Sequence, residues 1–131
     1  MKSALHSAHA PNPIGPYSQA MRAGDFVFIS GQIGIDPGSG KITGKTAAEQ
    51  TRQTLQNIRA ILTAAGITAD HVIKTTIFLA NIDDFKSVND AYGEYFHDNP
   101  PARSTVQVAK LPMNALVEIE AIAMRRPKPQ E

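Results

Sequence analysis

Cysteine is absent from the 131 residues of the chain. This absence excludes disulfide bonds, thiolate nucleophiles and cysteine-based metal sites, and it fits a reducing compartment such as the cytoplasm. No apolar run approaches the roughly 20 residues that a membrane span needs, and no apolar signal core stands at the N-terminus. We therefore expect a cytoplasmic protein without a membrane partner.

A large excess of one charge sign is missing as well. The 13 lysines and arginines nearly balance the 12 acidic residues, and the net charge is +1. This balance gives no electrostatic reason to expect a nucleic-acid partner. The densest basic cluster, Arg125, Arg126 and Lys128, is interrupted by prolines and is predicted to be a solvated tail. With 42% hydrophobic and 19% charged residues, the composition is that of one globular domain over residues 1–131.

The hydrophobic pattern predicts an α+β domain with the element order β-β-α-β-α-β-β. The predicted segments are two strands in residues 17–33, a loop at 36–46 and then a helix, a strand at 71–82, a second helix, and strands in 103–112 and 116–126. Thr46 and Glu49 match a capping box where the first helix starts, and Gly66 ends that helix. Asp83 or Asp84 is expected to cap the second helix.

Each predicted helix has one apolar stripe, with residues at spacings of three and four. The stripes consist of Ala47, Thr51, Leu55, Ile58 and Leu62 in the first helix, and of Phe85, Val88, Tyr92 and Phe96 in the second. In the strand between the helices, alternation places Ile73 on the same face as Thr75 and Ile77. Each helix is therefore expected to bury one side against a sheet.

The last strand mixes acidic and apolar side chains on one of its faces. Alternation places Val117, Ile119, Ala121 and Ala123 on a core face, and Leu116, Glu118, Glu120, Ile122 and Met124 on the other. Two amphipathic helices can cover only one face of such a sheet, whereas at least three strands have two apolar faces. Because another copy of the chain is the simplest cover for the second face, the two glutamates are predicted to lie at a subunit interface.

Three well-known motifs are absent because their spacing fails. Gly44-Lys45-Thr46 resembles the end of a phosphate-binding loop, but Ser39 stands where the pattern needs glycine. The four histidines form no zincin signature, so we expect no metal site. No G-x-S-x-G nucleophile elbow is present.

Four other residues fit either a ligand site or a purely structural role. Ser30 and Gly31 stand at a strand end, where glycine permits close approach of a ligand but also suits a turn or bulge. Arg103 offers a planar fork for a carboxylate or phosphate, although most such arginines are surface residues. Asn89 lies beside the apolar stripe of the second helix and suits either packing or a site.

Several stretches together resemble the RidA family, also called YjgF. They include PNPIGPYSQA at residues 11–20, FISGQIGIDPGSGKI at 28–42 and PPARSTVQVAKLPMNALVEIEAIAMRR at 100–126. The resemblance starts near Ala10 and covers nearly the whole chain, so we expect no long removable presequence. It implies a chorismate-mutase-like α+β subunit in a homotrimer, with the sheets forming a central barrel and active sites in the clefts between subunits.

The resemblance also implies a reaction. Members of the RidA type hydrolyse 2-iminobutanoate and 2-iminopropanoate to 2-oxo acids and ammonia, which protects pyridoxal-phosphate enzymes, and they use no metal or organic cofactor. Arg103 matches the family arginine that binds the substrate carboxylate. Glu118 matches the glutamate beside the attacking water, and partial enclosure by apolar groups should raise its pKa. Glu120 has no catalytic assignment and is expected to have a partner at the interface.

Five further positions match residues that line the family site. Tyr17, Ser30 and Gly31 match site-lining positions, and Asn89 matches a polar helix residue near the cleft. Thr105 stands where many members have cysteine. Backbone N–H contact with the substrate survives this exchange, which is expected to affect substrate preference.

Two functional hypotheses of a different class stay open. Some members of the family are described as translation inhibitors or single-strand ribonucleases, and others look like ligand-binding regulators without turnover. Balanced charge and the lack of an aromatic and basic RNA surface argue against the ribonuclease. A purely structural domain would leave the pattern of Arg103 and Glu118 unexplained.

Overall fold

The computed structural model describes residues 1–125, and most of the predicted solvated tail, including Arg126 and Lys128, lies outside them. The described elements are β1 (Lys2–Leu5), β2 (Ala20–Ala23), β3 (Phe26–Gln32), β4 (Ile35–Asp36), β5 (Lys41–Ile42), α1 (Ala47–Ala64), β6 (Val72–Leu79), α2 (Phe85–Tyr95), β7 (Ala102–Gln107) and β8 (Val117–Met124). The α+β class with two helices and one main sheet is thus confirmed. Within residues 1–125, neither helix is long and apolar enough to cross a membrane.

The main sheet has six strands in the order β1-β2-β3-β8-β6-β7. Its pairs are antiparallel except for β6 and β7, which run parallel. The strands β4 and β5 form a separate short hairpin. Because β8 pairs with both β3 and β6, its side chains lie at the centre of the sheet.

Both helices pack on one face of this sheet. The inward residues of β8 are at most 2% exposed and share one core with buried residues of α1 and α2. These inward residues are Val117, Ile119, Ala121 and Ala123, as alternation predicted. The stripe of α1 is buried along its whole length, which confirms the helix and its inward side.

The start of α1 confirms the capping box. The Thr46 hydroxyl accepts a hydrogen bond from the Glu49 backbone N–H at 3.1 Å, and the Glu49 carboxylate accepts one from the Thr46 N–H at 3.1 Å. The same carboxylate also accepts a hydrogen bond from the Lys45 backbone N–H at 3.0 Å. These backbone hydrogen bonds lower the pKa of Glu49. Glu49 thus occupies the backbone N–H groups of Lys45 and Thr46, two donors that a phosphate at this position would use.

Asp84 occupies the N-cap position of α2 as predicted, but its side chain makes no capping hydrogen bond. The Asn81 side chain instead accepts a hydrogen bond from the Asp83 backbone N–H at 2.9 Å and begins a short 3₁₀ turn at Ile82–Asp84. Asp83 and Asp84 belong to this turn, which leads directly into the first residue of α2.

Other predictions fail where strands are short or irregular. The strand β1 and the hairpin of β4 and β5 were not predicted, because two to four residues are too few for a periodic pattern. A register shift between Val72 and Lys74 places Val72 in the core, at 5% exposure, and leaves Ile73 at 43%. Such a bulge moves following side chains to the other face, which alternation alone does not foresee.

The sheet face opposite the helices, called here the open face, is partly apolar. It includes the exposed side chains of Phe26, Phe28, Val106 and Met124, and the glutamates Glu118 and Glu120. Residues that are paired across neighbouring strands lie on the same face, and Phe28 on β3 is paired in this way with Ile122 on β8. No described helix packs on this face. The prediction that one sheet face lacks a helical cover is therefore correct.

Candidate functional site

A small pocket of about 70 Å³ lies at the end of the open face, around Glu118. The loop of residues 11–14 together with Tyr17 forms one side, Gly31 to Ile33 form the second, and Pro112 forms part of the third. Three of the residues selected from the sequence, Tyr17, Gly31 and Glu118, therefore lie together.

Gly31 leaves the space that the Glu118 side chain occupies. A Cβ atom added at Gly31 would overlap Glu118 Oε2 and lie 2.8 Å from its Cδ. The register of β3 against β8 shifts between Ile29 and Gln32, so Gly31 lies in a bulge. The bulge and the missing side chain together let the carboxylate lie directly against the backbone of the neighbouring strand.

Burial raises the pKa of the Glu118 carboxyl, and the nearby charge of Glu120 raises it further. Both causes disfavour the ionised form, the first by loss of hydration and the second by repulsion of like charges. The direction agrees with the expectation from the sequence. Glu120 itself is exposed and makes no hydrogen bond to the described residues, and its interface partner stays a prediction.

Tyr17 and Ser30 hold the loop that walls the pocket. The Tyr17 hydroxyl accepts a hydrogen bond from the Ile14 backbone N–H at 3.3 Å, and its ring lines the pocket. The Ser30 hydroxyl donates to the Ser18 carbonyl at 2.6 Å, and the Ser30 N–H donates to the Gln19 carbonyl at 2.9 Å. Ser30 does not line the pocket, so its observed contribution is to fasten β3 to the loop.

Gln19 was not selected from the sequence, yet it organises the same wall. Its side chain is 2% exposed; Oε1 accepts from the Ser7 N–H at 2.7 Å, and Nε2 donates to the carbonyls of Ser7 and Pro11 at 3.1 and 2.9 Å. The available signal was its place within the PNPIGPYSQA stretch, just before a strand. A buried amide there needs several partners, and the N-terminal backbone provides them.

Arg103 lies in a second environment, against α2. Its Nη2 donates to Asn89 Oδ1 at 2.6 Å, and its guanidinium carbon lies 4.9 Å from the ring centre of Tyr92 and 5.6 Å from that of Phe85. No carboxylate of the described residues forms an ion pair with it. A cation that is partly buried among an amide and two rings is a suitable anchor for a carboxylate ligand.

Thr105 follows Arg103 by two positions on β7 and thus shares its strand face. Its hydroxyl oxygen is buried and has no hydrogen-bond partner within residues 1–125. The residue as a whole is half-buried, and its hydroxyl has no role within the described part of a single chain.

Arg103 and Glu118 do not meet within one chain. Strand register sets Arg103 opposite Thr75, and Thr75 opposite Ala121. Thr75 and Ala121 are both buried under the helices. Glu118 lies opposite Phe78, three positions along, on the open face. Because directly paired residues share a face, the two residues lie on opposite faces of the sheet. A site that uses both residues would therefore need side chains from two chains, and the site between subunits that the resemblance implies stays a prediction.

Another groove of the described chain does not involve these residues. This larger groove, of about 610 Å³, lies between α1, the N-terminal segment and the hairpin, and none of the site residues selected from the sequence lines it. Within residues 1–125, no three histidine, aspartate or glutamate side chains cluster as a metal site would require. The candidate chemistry thus concentrates at the Glu118 pocket and at Arg103.

These features define a small α+β domain with the half-buried carboxylate of Glu118 on one sheet face and the guanidinium of Arg103 on the other. The family model described as endoribonuclease L-PSP matches residues 7–125, and the chain belongs to this family, the RidA/YjgF family that its motifs resemble.

Curated relatives and solved structures agree with this membership. The chain is 51% identical over 125 residues to a RutC family protein of Pyrococcus horikoshii, covering 95% of this chain and 99% of the relative. It is 46% identical over 127 residues to the human 2-iminobutanoate/2-iminopropanoate deaminase, covering 97% and 93%. The crystal structure of TdcF from E. coli with bound serine is 40% identical, with a TM-score of 0.90 and coverage of 95% and 99%.

Proposed function

We propose that the protein hydrolyses 2-imino acids such as 2-iminobutanoate and 2-iminopropanoate to 2-oxo acids and ammonia, and so protects pyridoxal-phosphate enzymes. The main support is that such a hydrolysis needs two groups: Glu118, with its raised pKa, and Arg103, which has no acidic partner among residues 1–125. The name of the human relative supports the substrate, and serine bound to TdcF supports a ligand of amino-acid size.

The proposal includes a site built from two chains in a homotrimer. Its support is that Arg103 and Glu118 lie on opposite sheet faces, so one chain alone cannot place both on the same small ligand. The open face exposes apolar side chains such as Phe28, at 46%, and Val106, at 43%. Burial of these groups against neighbouring copies would favour assembly through the hydrophobic effect.

In the proposed mechanism, Arg103 binds the substrate carboxylate through two parallel hydrogen bonds and so fixes the imine carbon. Glu118 of the neighbouring chain orients a water and accepts its proton while the water oxygen bonds to that carbon. The π-electron pair of the C=N bond moves to nitrogen, which takes up a proton from solvent. A tetrahedral carbinolamine results, with a hydroxyl and an amine on one carbon.

Collapse of this intermediate regenerates the ionised Glu118 carboxylate. Protonated Glu118 transfers its proton to the amine nitrogen, and the carbinolamine hydroxyl then releases its proton to solvent as the C=O bond forms and the C–N bond breaks. Ammonia leaves and the 2-oxo acid remains. A carboxyl with a raised pKa suits both transfers, because it exchanges protons closer to neutral pH than an ordinary glutamate does.

The decisive experiment couples this protein to a threonine dehydratase and traps the released imine with semicarbazide. Wild-type protein should reduce semicarbazone formation. Arg103→Ala should lower kcat/KM about 10- to 100-fold, because hydrogen bonds to charged groups contribute ~1.5–3 kcal/mol. Arg52→Ala is the matched control, since Arg52 is exposed and forms an ion pair with Glu94 on the helical surface. Equal depletion of imine by wild type and Arg103→Ala would remove the carboxylate role.

A ribonuclease is the second candidate, because the matching family model has the description endoribonuclease L-PSP. The net charge of +1 disfavours binding to a polyanion. Cleavage of single-stranded RNA that copurifies with the protein and disappears in Glu118→Ala would reverse the preference. Ligand binding without imine turnover would instead indicate a regulator.

A further inference from the structure

One face of α2 is directed at Arg103. Phe85, Asn89 and Tyr92 follow one another at spacings of four and three, which brings them to the same side of the helix, and all three contact the guanidinium. The sequence pattern assigns Phe85 to the core stripe, but its side chain is 40% exposed and lies over Arg103. We infer that Phe85 and Tyr92 are positioning residues that hold the Arg103 guanidinium ready for a carboxylate.

Tyr92 forms the fixed side of this arrangement. It is 4% exposed, and its hydroxyl shares a hydrogen bond of 2.7 Å with the hydroxyl of Thr75. Thr75 lies on β6 directly opposite Arg103 on β7. The hydrogen bond to Thr75 therefore fixes the Tyr92 ring relative to β6, the strand that pairs with β7. The ring is thus a fixed reference against which the Arg103 guanidinium packs.

Phe85 forms the accessible side. It is the first residue of α2 and is 40% exposed, so packing in the core contributes little to the position of its ring. Its ring centre lies 5.6 Å from the Arg103 guanidinium carbon, within the range of an attractive cation–π contact. An exposed phenylalanine whose specific contact is a cation is better explained by that cation than by packing.

Aromatic neighbours suit a binding arginine in a way that acidic neighbours do not. A ring stabilises the cation without using an N–H group, whereas a carboxylate would occupy the fork that the ligand needs. Asn89 takes one of the five N–H groups, so about four are left for a ligand. Holding the long side chain in advance also reduces the entropy lost when the ligand binds.

The inference rests on the proposed function and leads to a specific kinetic signature. Phe85→Leu should raise KM for 2-iminobutanoate about two- to fivefold, which corresponds to ~0.5–1 kcal/mol for one exposed cation–π contact. It should leave kcat nearly unchanged, because anchoring of the carboxylate is equal in the ground and transition states. Phe85→Tyr keeps a ring over the guanidinium and should restore the wild-type KM.

A second measurement needs no turnover. The Nε–Hε resonance of Arg103, assigned with Arg103→Lys, should move in Phe85→Leu because the ring current is lost, and it should stay close to its wild-type position in Phe85→Tyr. The dissociation constant of the product 2-oxobutanoate, followed on this resonance, should rise by the same two- to fivefold factor in Phe85→Leu.

The two measurements separate the inference from the proposed function. If wild-type protein binds 2-oxobutanoate but hydrolyses no imine, the proposed function fails, and the resonance and product affinity alone decide on Phe85. If Phe85→Leu leaves both the resonance and the carboxylate affinity unchanged, the positioning role is wrong. A change of kcat alone, or one that Phe85→Tyr does not restore, would also overturn it.

Discussion

At the scale of single residues, the contact between Gly31 and Glu118 links a backbone feature to a chemical one. The carboxylate lies where any side chain at Gly31 would be. It consequently loses hydration, and its pKa rises. The glycine thus influences both the position of the carboxylate and its readiness to hold a proton.

Gly31→Ala should therefore damage the site and spare the fold. The new methyl group would meet the end of a flexible side chain, which can rotate away. Activity in the imine-trapping assay should fall about 10-fold or more, because a displaced general base loses part of its contribution, and thermal unfolding should change little.

Gly93→Ala is the matched control for this glycine. Gly93 lies within α2, and a Cβ there meets no heavy atom within 4 Å. Its replacement should stabilise the protein by ~0.5–1 kcal/mol through helix propensity and leave activity unchanged. Equal activity of Gly31→Ala and wild type would contradict the role assigned to the Glu118 position.

The raised pKa of Glu118 predicts a pH-dependent difference in stability. An acid whose pKa is higher in the folded than in the unfolded state stabilises the fold below the unfolded value, near 4.5, and loses that contribution as pH rises through the folded value. Glu118→Gln has no such loss. Relative to wild type it should gain stability between acidic and neutral pH, as thermal unfolding at a series of pH values would show.

At the scale of elements, α1 was predictable because its signals are local. Thr46 and Glu49 define the start, and the stripe defines the buried side within one continuous segment. The strand β1 was not predictable, because its pairing with β2 depends on contacts distant in sequence, including the Gln19 hydrogen bonds to Ser7. Residues of a short edge strand have too little pattern of their own.

Two buried threonines of α1 allow a test of hydrogen-bond satisfaction. The Thr51 hydroxyl donates to the Ala47 carbonyl at 2.7 Å, whereas the Thr54 hydroxyl is buried without a partner within the described residues. Thr54→Val should stabilise the protein by about 1 kcal/mol, because it removes an unsatisfied polar group at similar shape. Thr51→Val should destabilise by ~0.5–1.5 kcal/mol.

Chemical denaturation of both variants would measure this difference, and each serves as the control for the other. Both exchanges keep a β-branched side chain in the same helix, so helix propensity largely cancels. A loss of stability in Thr54→Val comparable to that in Thr51→Val would mean that the Thr54 hydroxyl has a partner in solution.

At the scale of the whole molecule, sequence reasoning found that one sheet face lacks a cover but not how the site is divided. The two apolar faces were visible from alternation in single strands. The placement of Arg103 and Glu118 on opposite faces follows from the register of β6 with its neighbours, which no local pattern contains. Homotrimer assembly and a cytoplasmic location stay predictions.

Mixed assemblies test the divided site directly. Arg103→Ala and Glu118→Gln should each have little activity alone. Coexpressed with different tags and purified through both, they should regain part of the wild-type rate, because some interfaces then pair an intact Arg103 with an intact Glu118. Light scattering of the same sample should give about three times the chain mass of 14.1 kDa. Mixed assemblies as inactive as the parents would refute a site shared between chains.

The opposite placement of Arg103 and Glu118 has a consequence for the life of the protein. If each working site needs two chains, a newly made chain is inert until it meets its neighbours. Specific activity should then fall on dilution instead of staying constant, because mass action lowers the fraction of chains that are assembled and each dissociation removes working sites. Abundance would thus act as a threshold for the reaction as well as a multiplier of its rate.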